Sequence, residues 1–224
     1  MEVLKYHPPY LVALLQPHGA LEIGCRSERS LKRAAVTKRA AAEGENIDRE
    51  YESQEHPMYV LSIEAVLALG RFPSHEEALA QGLLVQWVKG MVTIFVSHTW
   101  LSKGHPDNEA NEKLLLLKAF LRGAGTRDIH ADYTVETMMG TELRIPAKRA
   151  AEIAYVFFDY CSVPRVPGPN RFAAIRSIPA YVTNASFFAC VAGSCWVHAE
   201  SGARACDLAA WATRGWCRLE VPAL

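Results

Sequence analysis

Three stretches of the chain are apolar at nearly every position rather than at alternate ones. In KGMVTIFVSHTW, Val92, Ile94 and Val96 fall on one side of an extended chain and Thr93 and Phe95 on the other. Both sides suit burial, which is how a central strand of a parallel sheet reads. AYVFFDY (154–160) and FFACVAG (187–193) have the same character. The stretches between them change period. NEANEKLLLLKAFLRG (108–123) carries a leucine-rich helical run stopped by Gly123, and RFAAIRSIPAYVTNA reads as a helix that Pro179 kinks or restarts. A last helix begins in DLAAWATRGWCRLE and bends at Gly215. Strand and helix therefore alternate three times, which predicts an α/β fold: a doubly wound, flavodoxin-like parallel sheet with right-handed crossovers and the strand order second, first, third.

Upstream of these stretches the pattern is less decisive. YVLSIEAVLAL (59–69) is apolar enough to pack, but its period does not separate helix from strand. In PSHEEALAQGLL, Ser74 and Glu77 have capping-box spacing and predict a short helix ended by Gly82. Residues 1–56 differ in kind. RSERSLKRAAVTKR (26–39) sets six basic residues against one acid, and EGENIDREYESQE (43–55) sets six acids against one arginine. A solvated helix or partly disordered charged arm is expected there. The predicted division is a charged extension over 1–56, a packing segment over 57–89 and an α/β domain over 90–224. Residues 124–152 form a long insertion before the second strand, the length at which connections are usually functional or mobile.

Composition narrows the function classes. Half of the 224 residues are hydrophobic, and 24 basic residues balance 24 acidic ones. That neutrality gives no electrostatic case for nucleic acid or an anionic membrane as partner. The longest nearly apolar run, FFACVAGSCWV, is far shorter than the roughly 20 residues a membrane helix needs, and YLVALL is interrupted before a signal core forms, so a cytoplasmic protein is expected. The six cysteines contain no CxxC pair and read as reduced thiols. Cys190, Cys195, His198 and Cys206 can be written as a zinc set, but they lack the short knuckles of structural zinc sites, and no metal is expected.

In an open parallel sheet ligands sit beyond the carboxyl ends of the strands. That rule selects Ser97, His98 and Trp100 from the first strand, Asp159, Tyr160 and Cys161 from the second, and Gly193 and Ser194 from the third. A Ser–His–Asp triad is disfavoured, because G-x-S-x-G is absent and the adjacent Ser97 and His98 point to opposite sides of their strand. A metal set of His98, His105, Asp107 and Asp159 has no specific spacing, and HPDN is explained more simply as a helix cap near Asn108. The carboxylate two positions before Cys161 raises its thiol pKa and argues against an activated nucleophile.

VTIFVSHTWLSKGHPD, YVFFDYCSVPR and RGWCRLE, in this order, resemble the TIR (Toll/interleukin-1 receptor) domain superfamily, in particular a divergent group common in protist proteins. The matching residues are Ser97-His98-Thr99-Trp100 at the end of the first strand, Asp159 at the end of the second, and Trp216, Cys217 and Glu220 in a Trp-Cys-x-x-Glu motif. The likeness covers about residues 90–220. It implies a signalling module that self-associates or binds other TIR-like domains. As an alternative it implies an NAD glycohydrolase that cleaves the nicotinamide–ribose bond, with NAD as substrate and no resident cofactor. Glu220 would then be the essential carboxylate, and Ser97, His98, Trp100, Asp159 and Trp216 would line the nucleotide pocket. A carboxylate there would stabilise an oxocarbenium-like transition state. A complete TIR fold has five strands, so the three read here predict a sheet truncated after its third strand and helix, with an open edge. An inactive fragment is the third reading.

Overall fold

The structure, a computed structural model, describes residues 10–14, 54–130, 144–192, 196–202 and 210–211. At its centre are three parallel strands, β4 (Thr93–His98), β7 (Tyr155–Phe158) and β8 (Phe187–Val191), with β4 in the middle. Phe95 sits opposite Phe157 on one neighbour and Phe188 on the other. The second-first-third order expected from the sequence is therefore present.

The sheet does not stop at three strands. β2 (Tyr59–Ser62) runs antiparallel to β7, and β3 (Leu84–Gln86) pairs antiparallel with β2 at that edge. On the other side β1 (Tyr10–Leu14) lies parallel to β8, giving the order β1-β8-β4-β7-β2-β3. The expectation of a three-stranded sheet with an open edge is corrected here. Both flanks of the parallel trio are paired, by strands drawn from the part of the chain read as a packing segment and a charged extension. YVLSIEAVLAL is both things in turn: four residues of β2, then α1 (Ile63–Ala68), which Ser62 caps by accepting from Ala65 N.

Strict alternation divides the buried side chains between two cores. Ile94 and Val96, Val156 and Phe158, Phe187, Ala189 and Val191, and Leu61 face one layer. Helix α3 (Glu112–Gly123) covers that layer with Leu114, Leu117 and Leu121. Phe95, Phe157, Phe188, Cys190 and Val60 face the other. Two helices cover it, α6 (Pro169–Arg176) and α7 (Ile178–Asn184), through Ala174, Tyr181 and Val182. The β4–β7 and β7–β8 crossovers thus lie on opposite faces, as two right-handed connections on either side of β4 require. Pro179 at the start of α7 restarts the helix after Ser177. Phe95 stacks on Phe157 and on Phe188, with ring centroids 4.7 and 5.6 Å apart, tying the three strands on one face. Each such pair contributes about 0.5–1.5 kcal/mol beyond its burial.

The capping box opens α2 (His75–Ala80) as the sequence predicts. Ser74 Oγ accepts from Glu77 N, and the Glu77 carboxylate accepts from Ser74 N. A short hairpin of β5 (Ile129–His130) and β6 (Arg144–Ile145) brackets part of the long insertion, and α4 (Ala147–Ala150) leads into β7. Among the described residues no helix is long and apolar enough to cross a membrane.

Candidate functional site

The carboxyl ends of β4 and β7 bring His98 and Asp159 together. Asp159 opens α5 (Asp159–Ser162), the single turn that follows β7. His98 Nε2 is 2.7 Å from Asp159 Oδ1. The imidazole stacks at 4.1 Å on Phe158 of the first core, which in turn stacks at 4.0 Å on Phe72. Its side chain is 1% exposed, whereas the Asp159 side chain keeps 36% of its surface open.

The second imidazole nitrogen is fixed by a buried lysine. Lys113, fully buried in the first turn of α3, donates from Nζ to the carbonyls of Thr99 and Pro106 and lies 3.5 Å from His98 Nδ1. A carboxylate only accepts, so Nε2 carries the proton given to Asp159; in the neutral ring Nδ1 is then an acceptor and faces Lys113 Nζ, with the Thr99 carbonyl also 3.4 Å from it. Burial pushes the His98 pKa down; Asp159 pulls it up and Lys113 pushes it down again, and the net position is below the usual histidine range. For Asp159, burial alone raises the carboxyl pKa, but the charge and hydrogen bond of His98, together with Arg165, hold it below the usual carboxylate range. The pair is therefore a neutral imidazole donating to a carboxylate. With both nitrogens engaged and the ring enclosed, His98 orients Asp159 and has no lone pair to offer a substrate.

Asp107 explains how a lysine can sit in a helix's first turn. Its Oδ1 accepts from Asn108 N and Lys113 N, and its Oδ2 from Leu114 N. One buried carboxylate thus satisfies two amides at the start of α3 and places a negative charge where the helix dipole favours it. HPDN is a cap, as its sequence suggests. Among the described residues no group of three or more His, Cys, Asp or Glu side chains is placed to hold a metal.

Ser97 points the other way. Its Oγ accepts from Trp211 Nε1 at 2.8 Å in the second core. Alternation along β4 turns its side chain to the face opposite His98, so the structure brings Ser97 together with Trp211 and His98 together with Asp159. Cys161 is buried, and burial, with Asp159 adding to it, holds its thiol well above its usual pKa, which keeps it in the protonated form.

Trp100, half-buried, lies beside Tyr160, which the strand-end rule selects, and Arg165, which it does not. Its ring meets Tyr160 edge-on at 5.5 Å, and the guanidinium of Arg165 lies 4.6 Å from the Trp100 ring centre and 5.4 Å from that of Tyr160. His105 approaches Tyr160 at 5.1 Å; its Nδ1 accepts from Asp107 N and its Nε2 donates to the Phe72 carbonyl. The loop carrying Arg165 is pinned to α2: Glu76 Oε1 accepts from Arg165 N and Val166 N, and His75 Nδ1 meets the Cys161 carbonyl at 3.1 Å. On the other side the segment after β8 is tied to the loop after β4, through Ala199 N to Leu101 O and Lys103 N to the Glu200 carboxylate. The ring of buried Trp196 there faces Lys113 at 5.5 Å.

A surface depression lined by Ala65, Leu69, Gly70, Arg71, Pro73 and Asn111 includes none of the sequence-predicted site residues, and its arginine is paired with Glu77. Trp216, Cys217, Glu220, Gly193 and Ser194 lie outside the described residues. Lys113 and Arg165 were missed by sequence reasoning. The signal for Lys113 was its phase: it falls on the stripe of Leu117 and Leu121. For Arg165 it was a cation set between Pro164 and Pro167, just after a strand. No family model matches the sequence, and no curated protein or solved structure matches it significantly.

Proposed function

We propose that the chain is a TIR-like signalling module that acts by self-association rather than by chemistry at its first strand end. The observation carrying this reading is that Ser97 and His98, the polar pair expected to face a nucleotide, are both consumed inside the protein, one by Trp211 and the other by Asp159 and Lys113. The parallel β7-β4-β8 trio, with SHTW and DYCSVPR at its carboxyl ends, accords with the resemblance. Beside them the loop and helix after β7 present Val166 and Phe172, 63% and 58% exposed, an apolar pair within seven residues that suits contact with another copy.

Sedimentation velocity of the full chain from low to high micromolar concentration tests this. A weight-average mass that rises with concentration, and that Val166→Glu with Phe172→Glu returns to the monomer value, is the expected result. A wild-type monomer throughout ends the reading. Nicotinamide release from NAD by the full chain, abolished in Glu220→Ala, would replace it with the NAD glycohydrolase reading.

A further inference from the structure

Arg165 has an unusual set of neighbours. Its backbone N–H is taken by Glu76, and its carbonyl accepts from Arg171 Nη1 at 3.2 Å. Pro164, Pro167 and Pro169 restrict the chain on either side. The guanidinium rests against the faces of Trp100 and Tyr160. Backbone and side chain are thus both held, but no acceptor among the described residues takes a guanidinium proton. Asp159, the acid whose charge acts most on Arg165, accepts from His98 through Oδ1 and forms no ion pair with Arg165. Glu76 is occupied with the loop amides, and Glu77 with Arg71. Arg171 adds a second positive charge nearby.

We infer that Arg165 is the core of an oxyanion-binding site at the β4–β7 rim, for a ligand bearing a phosphate or carboxylate group. A planar guanidinium matches the paired oxygens of either group. Backing by two aromatic rings leaves its edge as the free direction for donation. Holding the side chain in place beforehand removes the ordering cost that weakens most surface arginines as anion receptors. Half-burial strengthens the interaction relative to one made in bulk water. The site does not depend on self-association and is tested apart from it.

The test uses the full chain, labelled with nitrogen-15 and titrated separately with inorganic phosphate and with acetate, chloride being withdrawn to keep ionic strength constant. The readouts are the Arg165 Nε–H and Trp100 indole resonances. Saturable shifts of both are expected. In Arg165→Lys, which keeps the charge but loses the planar fork, the Trp100 shift is expected to need about tenfold more anion. Trp100→Leu should weaken binding through the intact Arg165 by loss of its backing, and the amide spectrum of each variant checks that it is folded. Tighter phosphate binding assigns a phosphorylated ligand, and tighter acetate binding a carboxylate. Shifts that stay linear in anion concentration, or half-saturation unchanged in Arg165→Lys, overturn the inference.

Discussion

Acidification is expected to destabilise this fold in a window set by buried histidines. His98 is held below the usual histidine range by burial first, with the Lys113 ammonium facing its Nδ1 adding to the effect against the pull of Asp159. His75, buried against Tyr59 and the Cys161 carbonyl, is also held below the usual range, by burial first. In the unfolded chain both return toward the ordinary value of 6.5. Below that pH the unfolded state binds protons that the folded state refuses, so stability falls as pH falls. Going from pH 6.5 to about pH 5.5, each histidine can remove up to about 1 kcal/mol. Asp159 does not confuse this window. Its pKa is lowered in the fold, so its contribution is present above its ordinary value of 3.8 and is lost only below it. The assay is urea unfolding of wild type and His98→Gln at several pH values. Glutamine can still donate to Asp159 but cannot titrate. The variant loses stability at every pH because it forfeits the stack on Phe158, so the slope is compared and not the level. The acid slope of His98→Gln should be shallower by about one histidine's share. An identical slope would refute the neutral, lysine-pinned imidazole.

Two further substitutions probe how the domain is fastened. Ser177 is fully buried, and its Oγ accepts from Glu55 N and His56 N while donating to Ala173 O, so Ser177→Ala should cost about 1–3 kcal/mol in a urea titration; a loss below about 0.5 kcal/mol would mean that water replaces the hydroxyl. Gly125 has φ +87°, and a Cβ there would meet the Ala151 Cβ at 2.7 Å, so Gly125→Ala should lower the thermal midpoint by the equivalent of about 1–3 kcal/mol; an unchanged midpoint would show that the turn relaxes freely.

The central trio was legible because its strands are apolar on both faces, a pattern few other structures tolerate. Their order was legible too, since right-handed crossovers leave few choices. The flanking strands were not. YVLS and LVQ are too short to show a period, and β1 lies far along the chain from the β8 it pairs with. At the site, alternation correctly opposed Ser97 to His98, yet the rule that gathers strand-end residues at one rim still grouped them. That rule places Cα atoms, whereas function depends on where side chains go. Lys113 was hidden by its type, because a lysine is almost never fully buried without partners and those partners come from a loop whose path no local pattern reveals. The opposite outcome holds for Ser74 and Glu77, whose interaction closes within one turn and is readable from four letters.

The Ser97–His98 peptide joins the protein's two halves mechanically. One residue grips an indole behind the sheet and the next grips a carboxylate in front of it. Both residues are in register with β8, Ser97 opposite Cys190 and His98 opposite Val191, so re-aiming either side chain would require the strand pairing to give way. Trp211 behind the sheet and Asp159 in front of it are therefore anchored to neighbouring residues of one paired strand, so the two faces share a single fixed reference.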